Sequence, residues 1–365
     1  MAAFKRKLTV NLKVRKLYLY SSNQNYKIYG LPYIKIPHIL QLDPKPTFEM
    51  QSIILRDIDQ FNEFAKPWDR ECRKLNKGNE FEVAVDLFHD EKFMLVEIGI
   101  QGIVEQKGSL LRGMRSFLIP SNDHQSFYWR KNNIKGNQIG LYPLGSELSA
   151  ISNSGFNVFV VSVPESTIID QAAKMQFDWN LIKNDFRKDH MVADHNMLEQ
   201  LRWQIRQLFN LKKVSSTTLH SNLLLTELKN ELLNQLILMY KSMPNKYRPD
   251  KSNRLRVFQK ARDYIFSNPA RDFRMDNLCN HTASCERTLQ YAIKSYTGLT
   301  PVEYVKAHKL NLVRDELLIK DPQNTTISEV ALQYGFLHAS QFTIDYKQLF
   351  GELPSETFSR KKNIA

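Results

Sequence analysis

The chain has 365 residues, 42% of them hydrophobic and 11% aromatic, enough for two or three globular domains with cores of their own. Its formal net charge of +13 points to a polyanionic partner, nucleic acid before an anionic membrane surface. Three scattered cysteines, Cys72, Cys279 and Cys285, exclude a disulfide framework and a four-thiolate zinc site, and fit a reducing cytoplasm.

The start, MAAFKRKLTVNLKVRKLYLY, has basic residues with no uninterrupted apolar run behind them, so it does not read as a signal peptide. No window approaches the roughly eighteen consecutive apolar residues of a membrane span, and no membrane partner is expected. Residues 8–15 alternate, with Leu8, Val10, Leu12 and Val14 on one face and Thr9, Asn11, Lys13 and Arg15 on the other, which predicts a half-buried strand. Tyr26 to Tyr29 and Tyr33 to Ile36 read as further short extended pieces, and no acidic residue precedes Asp43. Residues 1–50 thus form a basic arm with a strand. Its role is either to help hold DNA or, as the plainer reading, to present a solvated strand face against the next domain.

Between 51 and about 165 the apolar pattern has mostly period two, as in Phe81 to Leu87 and Phe156 to Val163. Turn signals such as Lys77-Gly78-Asn79 and Pro120-Ser121-Asn122-Asp123 punctuate it, predicting a β-rich domain over 51–175, a sandwich or barrel. After 190 the period becomes helical: Leu198, Leu201, Ile205 and Leu208 mark one stripe, and Leu225, Leu228, Leu232, Leu236 and Met239 another. Two destinations stay open for the 190–243 segment, the β-domain of the same chain or the seam of a homodimer. Pro244 to Pro249 then reads as an interdomain linker.

From Met275 to about Phe358 one pattern occurs twice. At an offset of 53 positions Leu289 pairs with Phe342, Lys294 with Lys347, Gly298 with Gly351 and Pro301 with Pro354. The helices that open the two copies match at 52 instead, Leu278 to Val330 and Cys279 to Ala331, so the second turn is one residue longer. A preceding helix carries Val257, Ala261, Tyr264 and Ile265 and ends at Asn268-Pro269. Between the copies, residues 302–320 predict an unbroken helix on the order of 28 Å long. That rod can hold two recognition helices on one side of a duplex, where successive major grooves lie about 34 Å apart.

Several stretches together resemble the DNA-binding domain of AraC/XylS-family transcription regulators: Glu286-Arg287-Thr288-Leu289-Gln290, the Gly298-Leu299-Thr300-Pro301 step, the helix carrying Arg314, Ile327 through Tyr334-Gly335-Phe336, and Phe350-Gly351 with Pro354. The resemblance covers about 255–360 and rests on both copies, the connecting helix and both glycine–proline steps. Within the family, Arg287 to Tyr291 and the helix after Pro301 look most like the ethanolamine-utilisation regulators.

The resemblance implies an α+β multidomain chain. A β-rich cupin-like, jelly-roll sensor would come first, then a helical linker or dimerisation segment, then an all-α tandem helix-turn-helix domain over 252–362. It further implies promoter DNA and RNA polymerase as partners, a small organic effector of unknown identity, no required cofactor, activation as the mode of regulation, and a bacterial cytoplasmic, nucleoid-associated location. In the first recognition helix Glu286, Arg287, Gln290, Tyr291 and Lys294 are the expected DNA contacts. Arg287 suits guanine and Gln290 adenine, while Lys294 is placed for a phosphate. In the second they are His338, Ser340, Gln341, Thr343, Ile344 and Lys347, and Ile344 suits a thymine methyl.

The sequence departs from the family pattern at several points. Ile344 stands where a basic residue is common and Asp345 follows it, so the first copy is read as the base reader and the second as the anchor on phosphates. Ala283 replaces a turn glycine, and Cys285 replaces a serine N-cap; a small tolerated residue is preferred there over a redox switch. His38, His89, His124, His190 and His195 form no His-x-His pair, so no metal site is expected. Two rivals remain, an architectural DNA binder without sensing and an uncharacterised enzyme fused to the module; no nucleophile–base pattern supports the enzyme.

Overall fold

The computed structural model describes residues 8–12, 15–19 and 49–360, apart from 79, 91, 110–112, 131, 143–146, 154, 179–189, 215–218, 243–251 and 269–272. It divides into a unit over Met1–Thr47 and a compact unit over Phe48–Ala365. In the first, β1 (Leu8–Leu12) pairs antiparallel with β2 (Arg15–Leu19), Leu8 opposite Leu19 and Leu12 opposite Arg15. The single strand expected over 8–15 is therefore a hairpin; alternation alone cannot tell one long strand from two that reverse. The extended pieces at 26–29 and 33–36 and the linker at 244–249 lie outside the described residues.

In the second unit, period-two sequence becomes two antiparallel sheets. One holds, in spatial order, β14 (His190–Val192), β11 (Gln138–Tyr142), β8 (Met114–Pro120), β13 (Phe156–Pro164), β6 (Phe93–Gln101), β5 (Glu82–Asp90) and β3 (Glu49–Leu55). The other holds β10 (Asn132–Lys135), β9 (Ser126–Trp129), β12 (Leu148–Ile151), β7 (Val104–Gly108) and β4 (Arg70–Lys74). Strand β13 shows why the larger sheet is covered twice. Phe156 and Val158 join a core between the sheets, while Phe159, Val161 and Val163, on the opposite face, join a second core with helices.

Those helices are α2 (Glu165–Lys174), α3 (His195–Val214) and α4 (Leu219–Lys241). The stripe Leu198, Leu201, Ile205 and Leu208 and its partner Leu225, Leu232, Leu236 and Met239 are buried against the sheet, with Leu228 packed at the edge. Of the two destinations left open for 190–243, the structure places the apolar stripe on the same chain. Arg202, fully buried, fixes α3 by donating to the Pro120 carbonyl and pairing with Asp123, each at 2.8 Å. Helix α1 (Ile58–Ala65) interrupts the strand pattern; Asp57 caps it by accepting from the Gln60 N–H, and Ile58, Phe61 and Ala65 are its buried face.

The outer face of the five-stranded sheet carries the third core. Tyr128, Ile151 and nearby Leu75 pack with Phe258, Leu289, Tyr304 and Leu310 of the carboxy-terminal helices. Helix α5 (Asn253–Ser267) supplies Phe258, which stacks on Tyr296 at 4.9 Å, and Tyr128 meets that pair edge-on. The layers therefore run helices, seven-stranded sheet, five-stranded sheet, carboxy-terminal helices.

Candidate DNA-binding interface

Helix α6 (Met275–Thr282) buries Leu278 and ends at Ala283, whose φ of 50° is left-handed; the Ser284 N–H then reaches back to the Cys279 carbonyl at 3.1 Å. Helix α7 (Glu286–Thr297) follows, with Leu289, Ala292 and Ile293 sealed in the core. Gly298, at φ 72°, closes it, and Thr300 opens α8 (Pro301–Ile319) with a reciprocal capping box to Glu303 and proline at the first helical position. That helix occupies the expected span to within a residue, and Tyr304, Leu310, Val313 and Leu317 form its buried side.

The second copy repeats the construction. Thr326 and Glu329 box the start of α9 (Ile327–Gln333), and α10 (Ala339–Phe350) buries Phe342, Tyr346 and Leu349 before Gly351 closes it at φ 80°. Gly335, at φ 82°, occupies the place of Ala283, and the Phe336 N–H returns to the Ala331 carbonyl at 3.0 Å as Ser284 does in the first copy. The extra residue of the second turn is thus Leu337, which projects into solvent at 73% exposure. A short α11 (Pro354–Ser359) completes the domain.

On α7, Glu286, Arg287, Gln290, Tyr291 and Lys294 are all exposed in the full chain. They emerge on the side opposite the buried Leu289 and Ile293, the surface a recognition helix presents to a major groove. The Arg287 guanidinium lies over the Tyr291 ring at 5.7 Å, and the Gln290 amide donates to Glu286 at 3.0 Å. On α10, Ser340, Gln341, Ile344 and Lys347 are exposed beside His338, the N-cap residue, while Thr343 is half-buried and its hydroxyl donates to the Ala339 carbonyl at 2.9 Å. Asp345 does not share that exposed face. It is buried, pairs with Lys306 at 2.8 Å and accepts from the Gln341 amide at 3.2 Å.

Buried ionic contacts fix this module to the sandwich. Glu105, 1% exposed, pairs with Arg262 and accepts from the Tyr304 hydroxyl at 3.0 Å. Arg73 donates to His308, whose imidazole stays neutral because burial, aided by the Arg73 cation, pulls its pKa down to about 2. Asn311 holds the Lys74 backbone from both sides, accepting from its N–H at 3.2 Å and donating to its carbonyl at 2.8 Å. Near the second copy, Asp59 of α1 takes a two-pronged bond from Arg314, at 2.8 and 2.7 Å, and another from Arg360 at 2.7 Å. Arg314 also donates to Tyr346 and pairs with Glu352, so this arginine of the connecting helix is a structural member. The distances along the chain between these partners gave sequence reasoning nothing to find.

The helix-turn-helix domain family matches residues 278–360. The XylDLEGF operon transcriptional activator 2 of Pseudomonas putida is 36% identical over 105 residues, which make up 29% of this chain and 67% of that protein. The chain belongs to the AraC/XylS family of DNA-binding transcription regulators. A second AraC/XylS-type relative, the XylDLEGF operon transcriptional activator 1 of the same organism, is 31% identical over 105 residues; the match takes in 29% of this chain and 32% of that protein. The chain thus spans about a third of that relative's length. Among solved structures, a probable AraC family transcriptional regulator from Rhodopseudomonas palustris CGA009 is 30% identical over 28% of this chain and 95% of that one, at a TM-score of 0.27.

Against the AraC/XylS pattern, Ala283 is a strained choice. A left-handed backbone costs a residue with a Cβ about 1–2 kcal/mol, which glycine avoids at some cost in unfolded-chain entropy. Ala283→Gly is therefore expected to raise unfolding free energy by about 1 kcal/mol, read as a higher urea midpoint at unchanged slope; a lower midpoint would contradict the turn geometry. The exposed Cys285 thiol lies 3.2 Å from the Thr288 hydroxyl and is drawn below its usual pKa by that contact first and by the Thr288 backbone N–H second.

Among the described residues no helix is long and apolar enough to cross a membrane, and no three His, Cys, Asp or Glu side chains are grouped to hold a metal ion.

Proposed function

We propose that this regulator is an effector-responsive activator that grips two successive major-groove segments of promoter duplex, reading bases with α7 and anchoring on phosphates with α10. The observation that carries this is the contrast on α7. Arg287, Gln290, Tyr291 and Lys294 are solvent-exposed in the full chain while Leu289, Ala292 and Ile293 are buried, and the docked sandwich leaves the reading surface open. Binding that depends on Lys and Arg against phosphates releases counterions, so its affinity falls linearly with salt on logarithmic axes, by about 0.9 per phosphate contact. Anisotropy titration of full-length protein on duplex between about 50 and 200 mM salt tests this; affinity that ignores salt would remove the phosphate contacts from the account.

The sandwich over 51–175 is read as the cupin-like sensor, since an architectural DNA binder would leave that domain and its cavity without a role. The chain acts as a regulator and not as an enzyme, works on RNA polymerase at promoters in the bacterial cytoplasm at the nucleoid, and resembles the ethanolamine-utilisation branch in its reading helix. Homodimerisation is assigned to the outer faces of α3 and α4, where Trp203, Leu223, Leu224 and Leu238 are exposed beyond the stripe buried in the chain.

A further inference from the structure

Between the two sheets lies a cavity with about 40 Å³ open to the centres of water-sized bodies, room for roughly three at 10–15 Å³ each. Its walls are aliphatic and aromatic side chains of both sheets, broken by Arg70, Gln106, Tyr142 and two serines. Arg70 is half-buried, and its Nε, sealed from solvent, has no hydrogen-bond partner. Among the described residues no carboxylate forms an ion pair with it; its guanidinium lies 5.9 Å from the Trp68 ring. Burial holds that guanidinium below its usual pKa, the mark of a cation left uncompensated. The Tyr142 hydroxyl is also buried without a partner, and burial pushes its pKa up to about 12.

Buried polar groups are retained unpaired at a loss in stability, and a methionine or leucine at position 70 would pack between the sheets without it. Water could satisfy the hydrogen bonds but not the charge. We propose that this cavity takes a small organic carboxylate, with the Arg70 guanidinium as counter-ion, the Tyr142 hydroxyl as second donor and the apolar walls around the ligand's body. This rests on the effector-responsive reading above, and the sheet supplies the connection. Strand alternation puts Cys72 in the core between the sheets and Arg73 outward on His308, Gln106 at the cavity and Glu105 on Arg262, Trp129 at the cavity and Tyr128 on Phe258. Any shift of these strands on ligand binding is passed by one peptide unit to the contacts that hold the DNA-binding module.

The experiment is calorimetric and thermal titration of full-length protein with sodium butyrate and, as its uncharged counterpart, butyramide. Butyrate is expected to bind and raise the melting temperature, and butyramide to bind at least about tenfold more weakly. Arg70→Met is expected to abolish the butyrate response while melting no lower than the parent; Arg70→Lys, which keeps the charge and loses the fork, retains a weakened response and serves if the methionine variant does not fold. Equal binding of the two probes, or full butyrate affinity in Arg70→Met, would overturn the proposal. DNA affinity measured with and without butyrate separates the two claims. Butyrate that binds without changing DNA affinity contradicts the effector reading and supports the site, whereas a neutral ligand that changes DNA affinity where butyrate does not bind overturns the site and leaves that reading intact.

Discussion

Replacing Glu105 by alanine is expected to lower the unfolding free energy by about 3–5 kcal/mol, the cost of leaving one member of a buried ion pair alone. Glu105 is the shared acceptor of Arg262 and Tyr304, both buried, so the substitution strands a cation and a hydroxyl at once. The loss is bounded by the free energy that docks the carboxy-terminal helices on the sheet. If that docking is weaker than the penalty, the halves separate and Arg262 regains water. Urea denaturation reads the first result and small-angle scattering the second, as an increase in radius of gyration with helix content unchanged. Replacing the pair together, Glu105→Leu with Arg262→Met, is expected to restore most of the stability, because apolar groups of similar volume often match a buried ion pair. A Glu105→Ala protein that neither unfolds earlier nor expands would mean that the sheet and the module are not joined through this pair.

The second large effect concerns base recognition. Arg287→Ala is expected to reduce discrimination at a single base pair by about 1–3 kcal/mol, a factor of roughly 5 to 150 in relative affinity, because a guanidinium bonds guanine O6 and N7 together. Its place over the Tyr291 ring partly orders it before DNA arrives, which lowers the entropy lost on binding. Lys294→Ala should instead weaken all duplexes alike. Gln341→Ala in the second copy is expected to change discrimination less. Both glutamines bond a carboxylate four residues away, but Glu286 is exposed and gives up Gln290 easily, whereas Asp345 is buried and ion-paired to Lys306 and holds Gln341 in place. Competition titrations with single-base variants of a bound duplex separate these cases.

What could be read in the sequence follows from the range of the interaction. The two helix-turn-helix copies announce themselves through contacts three to five residues apart, such as the Thr300–Glu303 box and the Gly298 and Gly351 closures. The alternation in Phe156 to Val163 likewise marked β13, because each residue's face is fixed by its neighbours. Helix α1 carries a local signal, the Asp57 cap and the spacing of Ile58, Phe61 and Ala65, but it is short and the strand pattern on both sides masks it. Docking left no local trace. Glu105 and Arg262 are 157 positions apart, and Asp59 and Arg314 are 255 apart, so neither pattern nor spacing could join them. Asp345 follows the exposed Ile344 in sequence yet is buried with Phe342, Tyr346 and Leu349, and its partner Lys306 on α8 lies 39 positions away, beyond the reach of any local pattern. Arg70 shares a strand face with Cys72 like any residue two positions away, and nothing along the chain says that its side chain meets the cavity between the sheets.

The most direct test is selection of binding sites from a random duplex library by the full-length protein, run in parallel with Arg287→Ala. The predicted outcome is two blocks of sequence preference about one helical turn, roughly 10 base pairs, apart, the stronger containing a guanine whose enrichment disappears in the variant while the second block persists. Selected pools with no preference beyond the starting library, or identical preferences in parent and variant, would contradict a tandem module whose first copy does the reading.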